Sequence, residues 1–476
     1  MKLDPFIGGT SVAPSSGRYL AKLDPRSGKQ IAEVADGNSA DVDAAVEAAQ
    51  QAFVEWRDRR PIERGRLLLK VAEKIREHIK HLAALESSET GKLLWQSPFE
   101  IETAAQYFEF YGGLVNAGHG EVIDIGPNYH SYTRREPFGV VGVILPWNSP
   151  LNQGGRAIAP ALAAGNTVVA KPSEETSASL LELARIAVQE CGMPAGVLNV
   201  VLGTGAETGV ALVKHPKVRK VAFTGSVRAG REIGQIAAER IIPLTLELGG
   251  KSPNIVFEDA DLDAAVPGSA RAFTLNAGQV CLAGTRCLVQ ESIHDVFVEQ
   301  LAKAVAKIKV GPAEDAVMGP ITTRAQFDKV VGYFDVARKE GARQILGGSA
   351  LSSEEGHGGW FVNPTIYAGV TNDMRIAREE IFGPVLAVIP FKDEADAIRI
   401  ANDSEFGLAA GIWTQNLGRA LRVSAKLEAG QIYVNEYQAG GVETPIGGYK
   451  QSGYGREKGL EALHHYTQLK CVTIRI

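Results

Sequence analysis

The chain has 476 residues, is 45% hydrophobic and 22% charged, and carries a formal net charge of -5. This length predicts two or three domains, and the weakly acidic balance without a long basic run excludes the electrostatic signature of a nucleic-acid binder. Apolar stretches such as residues 140–145 are too short to cross a membrane, and residues 1–10 show no signal pattern, so we expect a cytoplasmic protein.

The first 137 residues divide into a helical part and a short β part. Apolar periodicity predicts helices over residues 41–56, 61–86 and 99–117. Two short strands, at 121–125 and 129–135, are separated by Gly126 and Pro127. This pattern predicts a hairpin or a protruding arm.

From residue 140 onward, short apolar runs alternate with helical segments. The predicted strands are 140–145, 166–170, 197–202 and 218–223, and the predicted helices between them are 177–190, 206–214 and 227–239. Ser173 and Ser177 are possible N-caps for the first of these helices. Such alternation is typical of βαβ units and a parallel sheet.

A second alternating region follows, over residues 253–435. Its predicted elements are the helices 262–276, 294–308 and 324–339 and the strands 385–389, 411–413 and 431–434. A last strand, 466–476, has no core of its own nearby in the sequence, so we expect it and the arm to pair with another subunit.

Four cysteines are present, Cys191, Cys281, Cys287 and Cys471. Neither CxxC spacing nor histidines at ligand spacing occur, so we expect free thiols, no disulfide framework and no metal site. Cys281 follows a predicted helix and stands between glycines, where a thiolate would be accessible enough to act as a nucleophile. A buried cysteine in a turn is the alternative interpretation.

Two further residues have the right character for catalysis. Glu247 lies between two leucines at the end of an apolar strand, and desolvation there would raise its pKa toward the range of a general base. Asn148 follows the strand at 140–145 in a loop held by Pro146 and Pro150, as an oxyanion donor requires. A structural ion pair and an ordinary turn asparagine are the respective alternatives.

Features that favour phosphate or ribose binding are weaker. The turns at 203–209 and 224–230 each follow a strand, but neither matches the dinucleotide fingerprint. Lys171 and Glu174 lie past another strand end and could bind a ribose, or be solvated surface charges.

Taken together, ordered motifs carry a family resemblance. They are Pro146-Trp147-Asn148, Lys171-Pro172-Ser173-Glu174, residues 223–230, Glu247-Leu248-Gly249-Gly250-Lys251, Gly278-Gln279-Val280-Cys281, residues 379–384 and residues 445–453. Over almost its whole length the chain resembles the aldehyde dehydrogenase superfamily.

The resemblance implies an α/β fold in three parts. A Rossmann-like cofactor-binding domain would comprise residues 1–118 and 138–248, and a second α/β catalytic domain residues 249–448. A small β arm, residues 119–137 and 449–476, would join subunits into dimers or tetramers.

The resemblance also implies a mechanism. The Cys281 thiolate attacks the aldehyde, Asn148 and the Cys281 N–H hold the oxyanion, hydride leaves to NAD(P), and Glu247 activates water to hydrolyse the thioester. Lys171 is added as a further catalytic candidate.

For the cofactor, the resemblance implies that Lys171, Ser173 and Glu174 lie at the adenosine ribose. The other cofactor residues would be Trp147, Gly225, Ser226, Gly230, Leu248, Glu380 and Phe382. A carboxylate at Glu174 accepts a hydrogen bond from a ribose 2′-OH and repels a 2′-phosphate, so NAD is favoured, with NADP as the alternative.

The aldehyde tunnel is expected to be lined by Ser149, Asn152, Gln153, Arg156, Val280, Leu282 and Ile446. Arg156 stays open to three interpretations: a clamp for a semialdehyde carboxylate, a feature shared with aromatic aldehyde dehydrogenases, or a structural arginine. Two rival functions also remain, a CoA-acylating dehydrogenase and a non-catalytic scaffold on the same fold, but the presence of Glu247 and Cys281 favours hydrolytic catalysis.

Overall fold

The computed structural model describes residues 1–313 and 315–476. The α-helices are α1 (Ser39–Asp58), α2 (Pro61–Glu77), α3 (Ile79–Thr90), α4 (Ser97–Gly113), α5 (Pro150–Ala163), α6 (Ala178–Arg185), α7 (Val210–Lys214), α8 (Val227–Arg240), α9 (Leu262–Thr274), α10 (His294–Val305), α11 (Arg324–Lys339), α12 (Arg375–Arg378), α13 (Glu394–Asn402), α14 (Leu417–Ser424) and α15 (Gly459–His465).

The strands fall into two large sheets and three small ones. They are β1 (Lys2–Leu3), β2 (Phe6–Ile7), β3 (Thr10–Ser11), β4 (Tyr19–Leu23), β5 (Gln30–Ala35), β6 (Val122–Ile123), β7 (Tyr129–Pro137), β8 (Val140–Ile144), β9 (Thr167–Lys171), β10 (Leu198–Val200), β11 (Val218–Thr224), β12 (Leu244–Glu247), β13 (Pro253–Val256), β14 (Arg286–Gln290), β15 (Arg343–Leu346), β16 (Thr365–Ala368), β17 (Val385–Phe391), β18 (Phe406–Gly407), β19 (Ala409–Trp413), β20 (Gln431–Val434), β21 (Tyr449–Lys450), β22 (Gly453–Tyr454) and β23 (Thr467–Arg475).

The first large sheet has the order β22-β12-β11-β8-β9-β10-β2-β3, and its five central strands are parallel. From β8 the chain moves outward through β9 and β10, then returns to the other side through β11 and β12. This reversal leaves a crevice at the carboxyl ends of β8 and β11, where open α/β sheets bind their ligands.

The second large sheet has the order β15-β16-β17-β14-β13-β19-β20 and is parallel except at β15. Its five inner strands are almost continuously buried, as expected where helices cover both faces, and the edge strands β15 and β20 are partly exposed. The predicted α/β class with two parallel-sheet regions is therefore confirmed. The residue boundaries of the predicted domains stay a prediction.

The arm is a small sheet of order β23-β7-β6. Strand β23 pairs with β7 of the same chain along its whole length, from Thr467 opposite Pro137 to Arg475 opposite Tyr129. The local pattern did not reveal this pairing, because β7 lies far from β23 in sequence. The predicted pairing of the arm and the terminal strand with another subunit stays a prediction.

Two predicted helices are interrupted. The segment predicted as one helix over residues 61–86 breaks at His78, whose φ and ψ are -92° and 9°, and continues as α3. The helix predicted over 177–190 ends as α6 and changes to a π-turn over Ile186–Glu190. In both places the apolar periodicity continues across the break, so the pattern alone cannot reveal it.

The start of α6 is capped by another part of the chain. The Glu89 carboxylate accepts hydrogen bonds from the N–H groups of Ser177 and Ala178 at 3.0–3.1 Å. The Ser177 hydroxyl donates instead to the carbonyl of Ser173. The predicted serine caps are therefore replaced by a buried glutamate from α3.

Candidate active site

A cleft of about 620 Å³ opens at the carboxyl edge of the first sheet, where the reversal of strand order predicts one. It is bounded by the loops after β8, β11 and β12, by Cys281, and by parts of the second α/β region. The residues that line it are Pro146, Trp147, Asn148, Gln153, Thr224, Gly225, Ser226, Glu247, Leu248, Gly249, Cys281, Gln326, Lys329, Glu380 and Phe382.

The loop that carries Cys281 has a strained backbone. After α9, Asn276 and Ala277 adopt left-handed φ values of 52° and 53°, which are costly for residues with a Cβ. Gly278 follows at φ 71°, and a Cβ there would lie 2.3 Å from the carbonyl of Gly383. The loop therefore requires glycine at 278 and takes a shape that ordinary turns avoid.

Hydrogen bonds hold this loop against the loop of Asn148. The Asn148 side-chain amide donates to the carbonyl of Gln279 at 2.9 Å, and the Asn276 amide donates to the carbonyls of Asn148 and Gln279 at 3.3 Å. An amide nitrogen has two hydrogens, so Asn148 keeps a second donor for another acceptor. Its orientation is fixed by the first bond, as an oxyanion donor requires.

Burial dominates the electrostatics of Cys281. It raises the pKa of the thiol to about 11, while the Arg156 guanidinium lowers the pKa and the carboxylates of Glu247 and Glu380 raise it. A thiol in this state is protonated near neutral pH, so reaction requires a base or a nearby positive charge.

Glu247 has the properties of such a base. Its carboxylate is buried, and burial raises the pKa to about 8, with Arg156 opposing that rise. Its Oε1 atom has no hydrogen-bond partner. A carboxylate with this pKa and a free oxygen can accept a proton from a thiol or from water near neutral pH.

The opposite wall of the cleft fits a nicotinamide cofactor. The rings of Trp147 and Phe382 pack edge to face with their centroids 5.4 Å apart. The Glu380 carboxylate accepts from the N–H of Gly250 at 3.2 Å and lies so close to Gly249 that a Cβ there would be 2.1 Å from its Oε2. Glycine at 249 is therefore needed to seat Glu380, the residue expected at the nicotinamide ribose.

The start of α8 lies where the diphosphate of the cofactor is expected. Ser226 lines the cleft and caps α8, its hydroxyl accepting from the N–H of Ala229 at 3.3 Å. The free N–H groups of a helix start favour an anion. Gly230 packs against the Leu248 side chain, which keeps α8 close to β12.

The turn over residues 203–209 plays a structural part. The Thr208 hydroxyl donates to the carbonyl of Gly37 at 2.8 Å, which ties the turn to the start of α1. It does not line the cleft.

Lys171 is the last residue of β9, Ser173 and Glu174 follow it, and all three lie outside the walls of the cleft. The Lys171 ammonium donates to the Glu174 carboxylate at 3.2 Å, and burial lowers the pKa of Lys171. This pair suits the hydroxyl groups of a ribose. Nothing in its position brings Lys171 to the nucleophile.

The structure places the predicted tunnel residues in different surroundings. Gln153 lines the cleft, whereas Ser149 accepts a hydrogen bond from Lys92 and Ile446 is buried beside Glu457. Arg156 forms a buried ion pair with Glu457.

The remaining predicted tunnel residues are half-buried. They are Asn152 in α5, and Val280 and Leu282 on either side of Cys281.

Sequence patterns missed two residues that shape the cleft from α11. Gln326 donates to the carbonyls of Ile381 and Phe382 at 2.8 and 2.9 Å, and Lys329 donates to the carbonyl of Glu380 at 2.8 Å. They hold the segment that carries Glu380 and Phe382. Both resemble ordinary exposed positions of an amphipathic helix, so no local signal marks them. Pro146, Thr224 and Gly249 also line the cleft and were not singled out for it.

Two features are missing from the part of the chain that the structure describes. Across residues 1–313 and 315–476, no cluster of three or more His, Cys, Asp or Glu side chains could bind a metal ion. Over the same ranges, every helix is too short or too polar to span a bilayer.

Comparison with known proteins agrees with this geometry. The model of the aldehyde dehydrogenase family matches residues 12–472. An aldehyde dehydrogenase of Emericella nidulans is 44% identical over 99% of this chain and 95% of its own length. A betaine aldehyde dehydrogenase of Brucella melitensis is also 44% identical, over 100% of this chain and 98% of its own.

Among solved structures, betaine aldehyde dehydrogenase from Staphylococcus aureus in complex with NAD+ superposes with a TM-score of 0.97 and 38% identity, covering 99% of this chain and 95% of that one. The chain belongs to the aldehyde dehydrogenase family. It is an enzyme that oxidises aldehydes with a nicotinamide cofactor, which confirms the activity expected from its motifs.

Proposed function

We propose that the chain oxidises uncharged, apolar aldehydes to carboxylic acids with NAD, using Cys281 as nucleophile, Glu247 as base and Asn148 as oxyanion donor. The observation that carries the proposal is the meeting of these three side chains in one cleft, although they lie on separate segments of the chain.

The chemistry follows from their surroundings. Once ionised, the Cys281 sulfur forms a bond to the aldehyde carbon, and the oxygen that gains the electron pair is held by the Asn148 amide and the Cys281 N–H. When bound, NAD supplies the hydride acceptor. Glu247 then takes a proton from water as that water attacks the thioester, which releases the carboxylic acid and returns the thiolate.

The preference for NAD is supported by Glu174. Its carboxylate is anchored by Lys171 at 3.2 Å and would repel a 2′-phosphate, whereas it can accept a hydrogen bond from a 2′-hydroxyl. The Staphylococcus aureus relative was solved with NAD+. We expect a ratio of kcat/KM that favours NAD over NADP and falls in Glu174→Gln.

The substrate class follows from two observations. The Nε and Nη2 atoms of Arg156 are engaged by Glu457 and Thr224, which opposes a bidentate grip on a substrate carboxylate. A broad groove of about 1450 Å³ lies against the Leu275–Asn276 side of the nucleophile loop. Its walls include the exposed side chains of Trp95 and Phe99, and apolar walls favour an uncharged ring or chain.

The test is a turnover panel with NAD, with and without CoA, of benzaldehyde, hexanal, succinate semialdehyde and betaine aldehyde. We expect benzaldehyde or hexanal to have the highest kcat/KM, with a free acid as product whether or not CoA is present. Preference for either charged aldehyde would contradict the substrate class. Release of an acyl-CoA would support the thioester-exchange alternative.

A matched pair of variants tests whether the aldehyde binds in this groove. Phe99→Ala should raise KM for benzaldehyde, because it removes an apolar wall, while Val317→Ala removes a smaller part of the same groove and should have a weaker effect. Equal KM values in both variants and the parent chain would place the aldehyde elsewhere.

Assembly into dimers or tetramers through the arm is part of the proposal. The arm sheet exposes apolar side chains that a partner subunit would cover: Val122, Ile123, Ile125, Leu469, Ile474 and Ile476. Sedimentation should give a dimer or tetramer, and a monomeric species would contradict it. The proposed location is the cytoplasm, where the four free cysteines would stay reduced.

A further inference from the structure

The guanidinium of Arg156 is buried behind the cleft and held by two partners. Its Nη2 donates to the hydroxyl of Thr224 at 3.2 Å, and its Nε forms an ion pair with Glu457. The side chains of the pair are 7% and 1% exposed. Because either charge would be strongly disfavoured alone at such depth, the two stay together.

Glu457 is fixed by its own backbone. Its N–H donates to the carbonyl of Ile446 at 2.9 Å, and its carbonyl accepts from the N–H of Ile446 at 2.7 Å. Arg156, on α5, is therefore tied through Glu457 to a segment that follows β22 and lies far away in sequence. Its guanidinium has little freedom to move toward a ligand.

This cation lies behind a wall of the cleft. Thr224, which accepts its hydrogen bond, and Gln153, one turn earlier in α5, line the same cleft as Cys281 and Glu247. The ionisable groups whose charges act on Arg156 include Glu457, Glu247, Tyr107, Cys281, Lys458, Tyr111 and Tyr466. Those whose charges act on Cys281 include Arg156, Glu247, Glu380 and Tyr433.

Arg156 is the positive group that acts on Cys281, whereas Lys329, the cation that lines the cleft, donates to the carbonyl of Glu380. We propose that Arg156 is a positioning residue whose fixed charge stabilises the Cys281 thiolate, and that Glu457 limits this effect by balancing the charge. The inference rests on the proposed function only in taking Cys281 as the nucleophile.

The direction of the electrostatic effect agrees with this arrangement. Burial is the largest influence on the pKa of Cys281 and raises it, and Arg156 is the strongest influence that lowers it. The same charge opposes the rise in the pKa of Glu247. One buried cation thus favours the ionised forms of both nucleophile and base.

The experiment measures the ionisation of Cys281 without turnover. Alkylation of Cys281 by iodoacetamide is followed by peptide mass spectrometry on the full-length protein from about pH 6 to about pH 10, below the midpoint of the buried thiol, where the rate is proportional to the thiolate fraction. Arg156→Gln should slow alkylation about tenfold across this range, which corresponds to a midpoint higher by roughly one unit. Glu457→Gln should lower the midpoint, because the guanidinium then lacks its counter-charge.

The opposite signs separate an electrostatic role from a merely structural one. If the pair served only packing, both variants would loosen the site and move the midpoint in the same direction. Arg156→Lys keeps the charge and should return the midpoint toward that of the parent chain. Shifts of equal sign, or no shift in Arg156→Gln, would overturn the proposal.

Two controls keep the result decisive. Arg64 is another buried arginine, but it donates only to backbone carbonyls, so Arg64→Gln should leave the midpoint unchanged. If Arg156→Gln does not fold, the double variant with Glu457→Gln removes both buried charges. Its midpoint should lie above that of the parent chain, and a midpoint at or below it would refute the role of Arg156.

The proposed function can fail separately. If enzyme alkylated at Cys281 still oxidised aldehydes, the nucleophile assignment would be lost. The signs of the two midpoint shifts would still decide whether Arg156 and Glu457 control the thiol.

Discussion

Two sets of buried charges in this molecule look alike by burial but differ in how they are hydrogen-bonded. One, the α3 acid cluster, consists of Glu86, Glu89, Lys92 and Glu100. The other, the cleft set, consists of Glu247, Arg156 and Glu457. Burial raises the pKa of Glu86 and of Glu247 alike to about 8.

In the α3 acid cluster the carboxylates of Glu86 and Glu89 have fixed partners. Glu86 accepts from the Lys92 ammonium and from the N–H of Leu151, both at 3.2 Å, and Glu89 accepts from two N–H groups at the start of α6. Lys92 also donates to Ser149, next to Asn148. This cluster holds the loop and helix starts beside the cleft.

In the cleft set, Glu247 Oε1 has no partner, and Glu457 Oε2 has only its ion pair with Arg156. An unsatisfied buried oxygen is costly unless something else uses it. A raised pKa therefore does not distinguish a catalytic carboxylate from a structural one in this protein. Hydrogen-bond saturation does, and it predicts that loss of the partners of Glu86 costs stability, while loss of the Glu247 carboxylate costs rate.

The largest effect is expected at the nucleophile. Cys281→Ala should lower kcat by more than about 10⁴-fold, because no other group can form the thioester, while NAD binding measured by fluorescence stays intact. Cys287→Ala is the matched control, since Cys287 is buried outside the cleft. Retained turnover in Cys281→Ala would refute the assignment.

Glu247→Gln should come next. Loss of a general base lowers steady turnover by roughly 10²–10⁴-fold. If the glutamine still allows acylation, stopped-flow absorbance should show a burst of NADH before the stall. Because the substitution removes an unsatisfied buried carboxylate, the melting temperature should stay the same or rise. A large fall in melting temperature would break the contrast between the two sets.

Lys92→Met tests the α3 acid cluster by removing its cation. It leaves the buried carboxylate of Glu86 and the half-buried carboxylate of Glu100 without their cation and should destabilise the fold by roughly 3–5 kcal/mol, read from denaturant unfolding. Lys303→Met removes an exposed ion pair with Glu299 and should change stability little. Equal stability in the two variants would contradict a structural role for the cluster.

The smallest effect is a change in pH dependence at Glu89. Burial raises its pKa in the folded state to about 7, above the ordinary value of about 4.3 in the unfolded chain. A group with a raised folded pKa contributes stability fully below the unfolded value and loses that contribution as pH rises through the folded value. The stability advantage of the parent chain over Glu89→Gln should therefore shrink between about pH 5 and pH 8.

Melting temperatures at matched pH check this, with Glu121→Gln, at an exposed residue of the arm, as control. A difference that grows with pH would show that the carboxylate is held ionised as a cap. In that case Glu89 would act as an ionised helix cap and not as a neutral buried acid.

Much of the fold was predictable because its signals are local. Alternating apolar runs and helical periodicity place β8, β9, β11 and α8 within a few residues of their observed bounds. The break at His78 and the π-turn at Ile186–Glu190 were not predictable, since both keep the apolar spacing of a helix. Their cause is packing against distant segments, such as the hydrogen bond between His78 and Glu190 at 2.9 Å.

The order of motifs along the chain was enough to determine the family, the reaction class and the three residues that we propose act on the aldehyde. These depend on residue types at fixed spacings in loops after strands, which the linear sequence records. The surroundings of Arg156 could be learned only from the tertiary structure, because its partners Glu457 and Thr224 come from other parts of the chain. The same holds for Gln326 and Lys329, which shape the cleft from a helix with no motif of its own.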